Sequence, residues 1–294
     1  MRRFLFTDNR QLAPGPMLWL ELTSDGFAEA VRASDGLCLV PMGCLERHGP
    51  HLPVGTDQIS VDAVARAAAQ KEPAVVFPPY YFGAIFTARH QPGTVALTRT
   101  LLFPVLEAAV NEVARNGFTK VLLVNGHGGN TRLIHVFLRM LLEDPRDYVV
   151  YATDWYVLEE SARERWHEMR ASDFGGHADE METSVMLHVH PGLVRMEAAG
   201  SADEGRPMHR LSCLPDVTTS IDWYADHPTH YAGDAREATA EKGRFLFDAC
   251  VDKLVSQMRA VKSDAVSAEL QQEFYRKAEH PGGAGPRTRL RQSP

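Results

Sequence analysis

Side chains able to do chemistry crowd into three short stretches. The first is Gly43-Cys44-Leu45-Glu46-Arg47-His48-Gly49-Pro50-His51-Leu52-Pro53, with Asp57 just beyond. Glu46 and His48 are two residues apart, and in an extended segment such side chains point the same way. A carboxylate and an imidazole would then converge on one point. Asp57 falls where a helix should begin, a place where a carboxylate also serves as an ordinary cap. The second stretch is Asn125-Gly126-His127-Gly128-Gly129-Asn130. Its glycines permit a tight turn and close backbone approach. Such a turn can also cradle phosphate, but no lysine follows it and the G-x-G-x-x-G spacing is absent. The third is Gly176-His177-Ala178-Asp179-Glu180-Met181-Glu182-Thr183-Ser184, opening an apolar helix. Acids at a helix N-terminus are favoured by the macrodipole, which gives Asp179, Glu180 and Glu182 a structural reason. His177 at the cap has no such reason. Imidazoles with carboxylates suit zinc, manganese or iron, so Glu46, His48, Asp57 and His127 read together as ligands of a divalent metal.

The elements that must position these groups follow from the apolar pattern. Residues 37–43 form an unbroken apolar run ending in glycine, which suits a strand buried on both faces; Pro41 is expected to end its pairing. A helix over 58–70 follows. Further strands are predicted at 74–77, 120–124 and 148–152, and helices over 101–116, closed by Gly117, and 131–143. This alternation predicts a single α/β domain with a mostly parallel central sheet and helices on both faces. In such sheets, residues just past the strand C-termini line the active site. A charged peripheral helix is expected over 156–170 and a long helix over 235–261. Residues 200–234 lack periodicity. The chain divides into an N-terminal arm (1–17), a catalytic domain (18–265) and a C-terminal tail (266–294), structureless after Lys277. The apolar arm around Phe4, Leu5 and Phe6 suits an oligomer contact.

Composition narrows the function classes. The 294 residues carry a formal net charge of −7, and no basic stripe interrupts the body of the chain, which argues against a nucleic-acid partner. Cys38, Cys44, Cys213 and Cys250 form no C-x-x-C pair, so a zinc-finger site is not expected. Free thiols fit a reducing cytoplasm. Neither a signal-peptide core nor a run long enough to span a membrane is found, so a soluble, cytoplasmic protein is expected.

The three stretches, in this order, resemble the motifs of the creatininase family: Glu-x-His-Gly-Pro-His-Leu-Pro with a following aspartate at 41–57, the second motif at 125–130 and the third at 177–184. Lesser echoes are Gln91-Pro92-Gly93-Thr94, Gly233-Asp234 and Glu241-Lys242-Gly243. The resemblance covers roughly residues 18–260. It implies a metal-dependent amidohydrolase that cleaves a C–N bond in a small, possibly cyclic amide such as creatinine. It also implies one or two ions per subunit, zinc first and manganese or iron as alternatives, and a homo-oligomer, a hexamer made as a trimer of dimers. By position, Glu46, His48, Asp57 and His127 match metal ligands, with Asp57 bridging. His177 matches the catalytic acid/base and Glu182 an acidic residue beside the metals; Trp155, Gly128 and Phe174 match the substrate side. Two departures stand out. Gly128 and Gly129 replace the Tyr and Glu of creatininase itself, whose Glu binds a metal, so a second ion here would rely on Glu182 or water. Asp173, with Phe174 beside it, stands in place of a Trp. The glycine version is closer to members acting on formamides or on a peptide in redox-cofactor maturation, so a deformylase or small-peptide peptidase is the alternative. An alternative of another class is a non-catalytic module that binds an anion or nucleotide at the glycine loop. The expected chemistry is metal-assisted hydrolysis, with His177 passing a proton to the leaving nitrogen.

Overall fold

The apolar runs become a five-stranded, all-parallel sheet in a computed structural model that describes residues 15–282. Strands β1 (Met17–Leu18), β2 (Leu37–Met42), β3 (Val75–Val76), β4 (Lys120–Asn125) and β5 (Val149–Asp154) lie in the order β1-β3-β2-β4-β5. The helices that precede β5 are α1 (Phe27–Ala33), α2 (Thr56–Lys71), α3 (Arg99–Arg115) and α4 (Asn130–Met140). Beyond it come α5 (Glu160–Met169), α6 (Glu180–Val189), the short α7 (Ala202–Gly205) and α8 (Asp222–Asp226), then α9 (Ala240–Ser263) and α10 (Val266–Glu279).

Alternation along the strands feeds two cores, one on each face. Leu37, Leu39, Leu122 and Val124 pack with Val61 and Val64 of α2, Val185 of α6 and Leu246 and Leu254 of α9. Cys38, Val40, Val121 and Leu123 pack with Ala30 of α1, Leu106 and Val110 of α3 and Ile134 and Phe137 of α4. The helix after β2 therefore lies on one face and the helix after β4 on the other. Between the C-terminal ends of these adjacent strands opens the crevice typical of a change in winding direction.

Three expectations are corrected. Pro41 does not end pairing: it stands opposite Val124, and Met42 opposite Asn125. Its carbonyl accepts the N–H of Tyr80 on the β3 side. A residue's N–H and C=O point to the same flank of a parallel strand, so the missing N–H faces the side where β3 has already ended. Met17 is not arm but the start of an edge strand paired with Val75; the apolar residues Phe4, Leu5 and Phe6 lie outside the described residues. The tail expected from 266 begins with α10, which buries Tyr275 and donates from Gln271 Nε2 to the carbonyls of Arg146 (3.2 Å) and Tyr148 (3.0 Å). Among the described residues no helix is long and apolar enough to cross a membrane.

Candidate metal centre

The crevice is closed from one side by the first turn of α2. A Cβ on Gly43 would stand 2.6 Å from the backbone N of Gln58, so only glycine lets that turn press onto the end of β2. Gln58 secures the approach, accepting the Gly43 N–H (3.0 Å) and donating to the Pro41 carbonyl (3.2 Å). Asp57 is thereby carried inward. It is not the helix cap, which is Gly55. Its Oδ1 lies 2.9 Å from His48 Nε2 and its Oδ2 2.9 Å from His127 Nδ1. Glu46, only 1% exposed, places Oε1 2.9 Å from His127 Nδ1 and Oε2 2.8 Å from His230 Nε2. His177 is held by a two-way backbone bridge to Ala232 and turns Nδ1 toward Glu46 Oε1 at 3.9 Å. Glu182 Oε2 accepts the Ala178 N–H at 2.5 Å and lies 3.9 Å from His48 Nε2. All six residues expected to act as ligands or acid/base thus meet in one place, joined by Cys44 and His230. Three overlapping groups, Cys44/Glu46/Asp57/His127, Glu46/His177/His230 and His48/His177/Glu182, each bring their ligand atoms within 4.8 Å of one another.

The tautomers can be read from the heavy atoms. His48 Nδ1 faces the Glu46 carbonyl (3.2 Å), His127 Nε2 the Ala84 carbonyl (3.3 Å) and His177 Nε2 the Arg47 carbonyl (2.7 Å). A carbonyl only accepts, so each neutral ring keeps its proton on that nitrogen and aims a lone pair at the carboxylates. Lone pairs 2.9 Å from carboxylate oxygens require positive charge between them. Protons can supply it. Burial alone would lower the His48 pKa, but the Asp57 charge and hydrogen bond, with Glu182 and Glu46 behind, raise it to about 10. Burial likewise opposes the rise at His127, where Glu46 leads and the pKa ends well above the usual range. Burial would raise Glu46 and Asp57, yet the histidines hold both below the ordinary carboxylate range. A divalent cation can supply the same charge without protons, and one atom suits it in particular. Glu46 Oε1 is buried with no hydrogen-bond donor assigned to it, and the Nδ1 of His127, 2.9 Å away, faces it with a lone pair when the ring is neutral.

The acid/base candidates behave differently. Burial, assisted by His48 and His230 against the pull of Glu46, brings His177 down to about 4. Withdrawal from water, with Asp57 and Asp179 adding to it and His48 opposing, raises Glu182 to about 8. Near neutrality, then, His177 can accept a proton and Glu182 can hold one. The Cys44 thiol, raised by burial and by Asp57, donates to Asp57 Oδ2 at 3.1 Å and is no nucleophile. Asp179 and Glu180 have the structural uses expected of them. Asp179 caps α6 through Met181 N and Glu182 N, and Glu180 accepts from Ala171 N, Ser172 N and Lys242 Nζ.

On the substrate side the outcome is mixed. Gly128 is exposed, with no atom within 4 Å of where a side chain would start. Phe174 is half-buried under the Arg206 guanidinium, 4.3 Å from the ring centre. Trp155, expected on the substrate side, is 5% exposed and packs into the core shared by α2, α6 and α9; the backbone bond from its N–H to the Asn125 carbonyl fixes it beside the sheet. His230 and its neighbour Trp223 were not singled out from the sequence. They lie in the aperiodic 200–234 segment with no motif around them; the one signal that could have found them is the segment's three histidines, His209, His227 and His230.

Comparison with known proteins agrees with this geometry. Residues 20–258 match the creatininase family, described as creatinine amidohydrolase. The mycofactocin precursor peptide peptidase of Mycobacterium ulcerans (strain Agy99) is 31% identical over 229 residues, 75% of this chain and 83% of that protein. The creatinine amidohydrolase of Pseudomonas putida is 26% identical over 255 residues, 81% and 95% of the two chains. A crystal structure of creatinine amidohydrolase superposes with a TM-score of 0.72 at 25% identity, covering 85% of this chain and 99% of that one. Solved creatininases include a zinc–zinc form and a manganese form.

Proposed function

The chain belongs to the creatininase family of hydrolases, and from that premise we propose that it is a metal-dependent amidohydrolase whose first ion is held by Glu46, His48, Asp57 and His127. One observation carries the reading: two buried carboxylates face histidine lone pairs, and Glu46 Oε1 lacks any hydrogen bond. A divalent cation bound there lowers the pKa of a water and polarises a carbonyl. The residues around it do the rest. His177, neutral and with Nδ1 free, takes the proton of the attacking water and returns one to the leaving nitrogen, which as an amide nitrogen leaves poorly unless protonated. The Arg47 carbonyl keeps its ring in that tautomer. Glu182 stands beside His48, and on giving up its proton to a second ion it would supply the negative charge that Gly129 lacks.

The substrate we propose is an extended amide such as a short peptide end, rather than a flat ring gripped between aromatic side chains. The rim at Gly128 is open, Trp155 is in the core, and Asp173 stands where an aromatic wall would rise. The mycofactocin peptide peptidase is similar in acting, by its name, on a peptide. The test is metal content together with hydrolysis of a panel of cyclic amides, formamides and short peptides, on the wild type and on His127→Ala. The expectation is stoichiometric zinc or manganese and peptide cleavage in the wild type, both lost together in the variant. His127→Ala that keeps a full complement of metal would overturn the ligand assignment. Turnover of creatinine without peptide cleavage would overturn the substrate.

A further inference from the structure

The two oxygens of Glu46 keep different company. Oε1 meets the rings of His127 and His177 and accepts no hydrogen bond, while Oε2 is 2.8 Å from Nε2 of His230. His230 is 1% exposed. Its other nitrogen, Nδ1, lies 3.1 Å from the indole N–H of Trp223. An indole N–H can only donate, so Nδ1 must accept, and the neutral imidazole keeps its one proton on Nε2. His230 is therefore a donor toward Glu46. That is the reverse of His48, His127 and His177, each turned by a backbone carbonyl so that a lone pair faces the carboxylates.

We infer that Trp223 and His230 form a positioning relay for Glu46. The indole fixes the imidazole tautomer, the imidazole holds Oε2, and Oε1 alone is left to the metal. The inference rests on the metal reading above and adds to it. Glu46 becomes a one-oxygen ligand with a fixed orientation. His230 stays out of the coordination sphere, although its Nε2 lies among the ligand-competent atoms of Glu46 and His177. Binding a metal through Nε2 would require the proton to move to Nδ1, where it would point at the Trp223 N–H. Trp223 sits in α8 and is half-buried, and its ring stands edge-on to His177 at 5.9 Å. The segment between α6 and α9 thus supplies an outer support for the centre that no strand end provides. Partners of this kind hold a ligand's direction and basicity, and their loss weakens metal binding about 10- to 100-fold.

The experiment is a zinc titration of the metal-free protein against a chromophoric chelator, with melting temperatures of the metal-free forms. It compares wild type, His230→Leu, His230→Gln and Trp223→Phe. His230→Leu removes the donor and should weaken zinc about 10- to 100-fold. His230→Gln keeps an N–H able to reach Oε2 and should recover most of that loss. Trp223→Phe keeps a ring but frees the tautomer, and should show a smaller loss, on the order of threefold to tenfold. The absorption spectrum of the cobalt(II)-loaded His230→Gln protein should match that of wild type, since no ligand has changed. A role in folding alone would lower all three metal-free melting temperatures and leave zinc affinity untouched, which overturns the relay. A cobalt spectrum showing a lost nitrogen ligand overturns it as well. Wild type that binds zinc, with His230→Leu binding equally well, overturns the relay alone; wild type that binds no zinc overturns the metal reading and the relay together.

Discussion

Two clusters of acids and bases sit at opposite ends of this sheet and are built on different terms. At the C-terminal ends of β2 and β4, Glu46 and Asp57 are buried and their partners are histidines. At the opposite end, near the start of β2 and β4, Glu72 is paired with Lys262 (2.7 Å) and Arg259 (2.9 Å), and Lys262 also reaches Asp35 at 3.5 Å. The second cluster uses permanent cations. The Lys262 hydrogen bond is foremost in holding the Glu72 carboxyl below its usual range, with burial opposing and Arg259 assisting. Pairs of this sort near the surface contribute about 1 kcal/mol or less each. The first cluster takes carboxylates out of water at a penalty of several kcal/mol per ion and gives them partners whose charge is conditional. A fold gains nothing from that arrangement unless something else enters it. The kind of cation opposite a buried acid therefore separates a cluster that holds the chain together from one that works.

The sharpest way to break that distinction is to take one working residue from the buried cluster and look for loss of function without loss of metal. His177→Ala should keep its metal and lose turnover on the order of 10²-fold or more, the typical worth of a positioned acid/base. Glu182→Ala should instead lower the occupancy of a second ion. Metal analysis and turnover on both variants decide it. If His177→Ala is metal-free while Glu182→Ala carries two ions, the two roles are reversed.

How far the sequence revealed this centre follows from how each residue is delivered. Glu46, His48 and His127 follow β2 and β4 directly, where an apolar run ending in glycine announces both strand and site. The layering was legible for the same reason, since alternate strand residues fill two cores. His230 and Trp223 arrive on a segment whose position is set by tertiary contacts alone, such as the bridge between His177 and Ala232; no local period encodes that. Asp57 is legible as a ligand, but the sequence leaves its rival role as a helix cap open. Its place at a helix start is real, but Gly43 lets the helix come so close that the carboxylate faces inward instead of capping. Pro41 misled because the flank its missing donor faces depends on where β3 ends.

A smaller effect tests the glycine loop. A Cβ on Gly129 would stand 2.4 Å from His127 Nε2 and 2.9 Å from the Ala84 carbonyl, whereas one on Gly128 would meet nothing within 4 Å. Gly129 therefore sits directly against the His127 ring, and any side chain there must push that ring or the Ala84 carbonyl from its present place. Gly129→Ala should weaken zinc about tenfold by disturbing the bond that orients His127. Gly128→Ala should leave the free energies of zinc binding and of unfolding within about 0.5 kcal/mol of wild type, as exposed substitutions usually do. Equal zinc affinities for the two variants would show that the Ala84 carbonyl does not govern the His127 ring.

The smallest effect belongs to the surface side of the comparison, at Asp264 between α9 and α10. Its Oδ1 accepts from Val266 N (2.9 Å) and Ser267 N (3.1 Å), and its Oδ2 from the Tyr151 hydroxyl (3.0 Å). Hydrogen bonds from Ser267, side chain and backbone, lead in pulling its pKa from 3.8 to about 2, against a small opposing effect of burial. A carboxyl depressed in the folded state contributes fully above its unfolded pKa, and that contribution fades as pH falls through the folded one. Docking of α10 should accordingly loosen between pH 3.8 and about 2. Pepsin cleavage at the α9–α10 junction, followed as pH is lowered, should rise across that window in the wild type. In Asp264→Asn, which cannot titrate, the junction should be slightly more susceptible at the top of the window and change less across it. Zinc should already have left the buried cluster at higher pH, because protons compete for His48 and His127 long before they reach Asp264. If zinc release and cleavage at the junction fall at the same pH, the buried centre and this surface carboxylate are not independent, and the contrast between buried and surface acids fails.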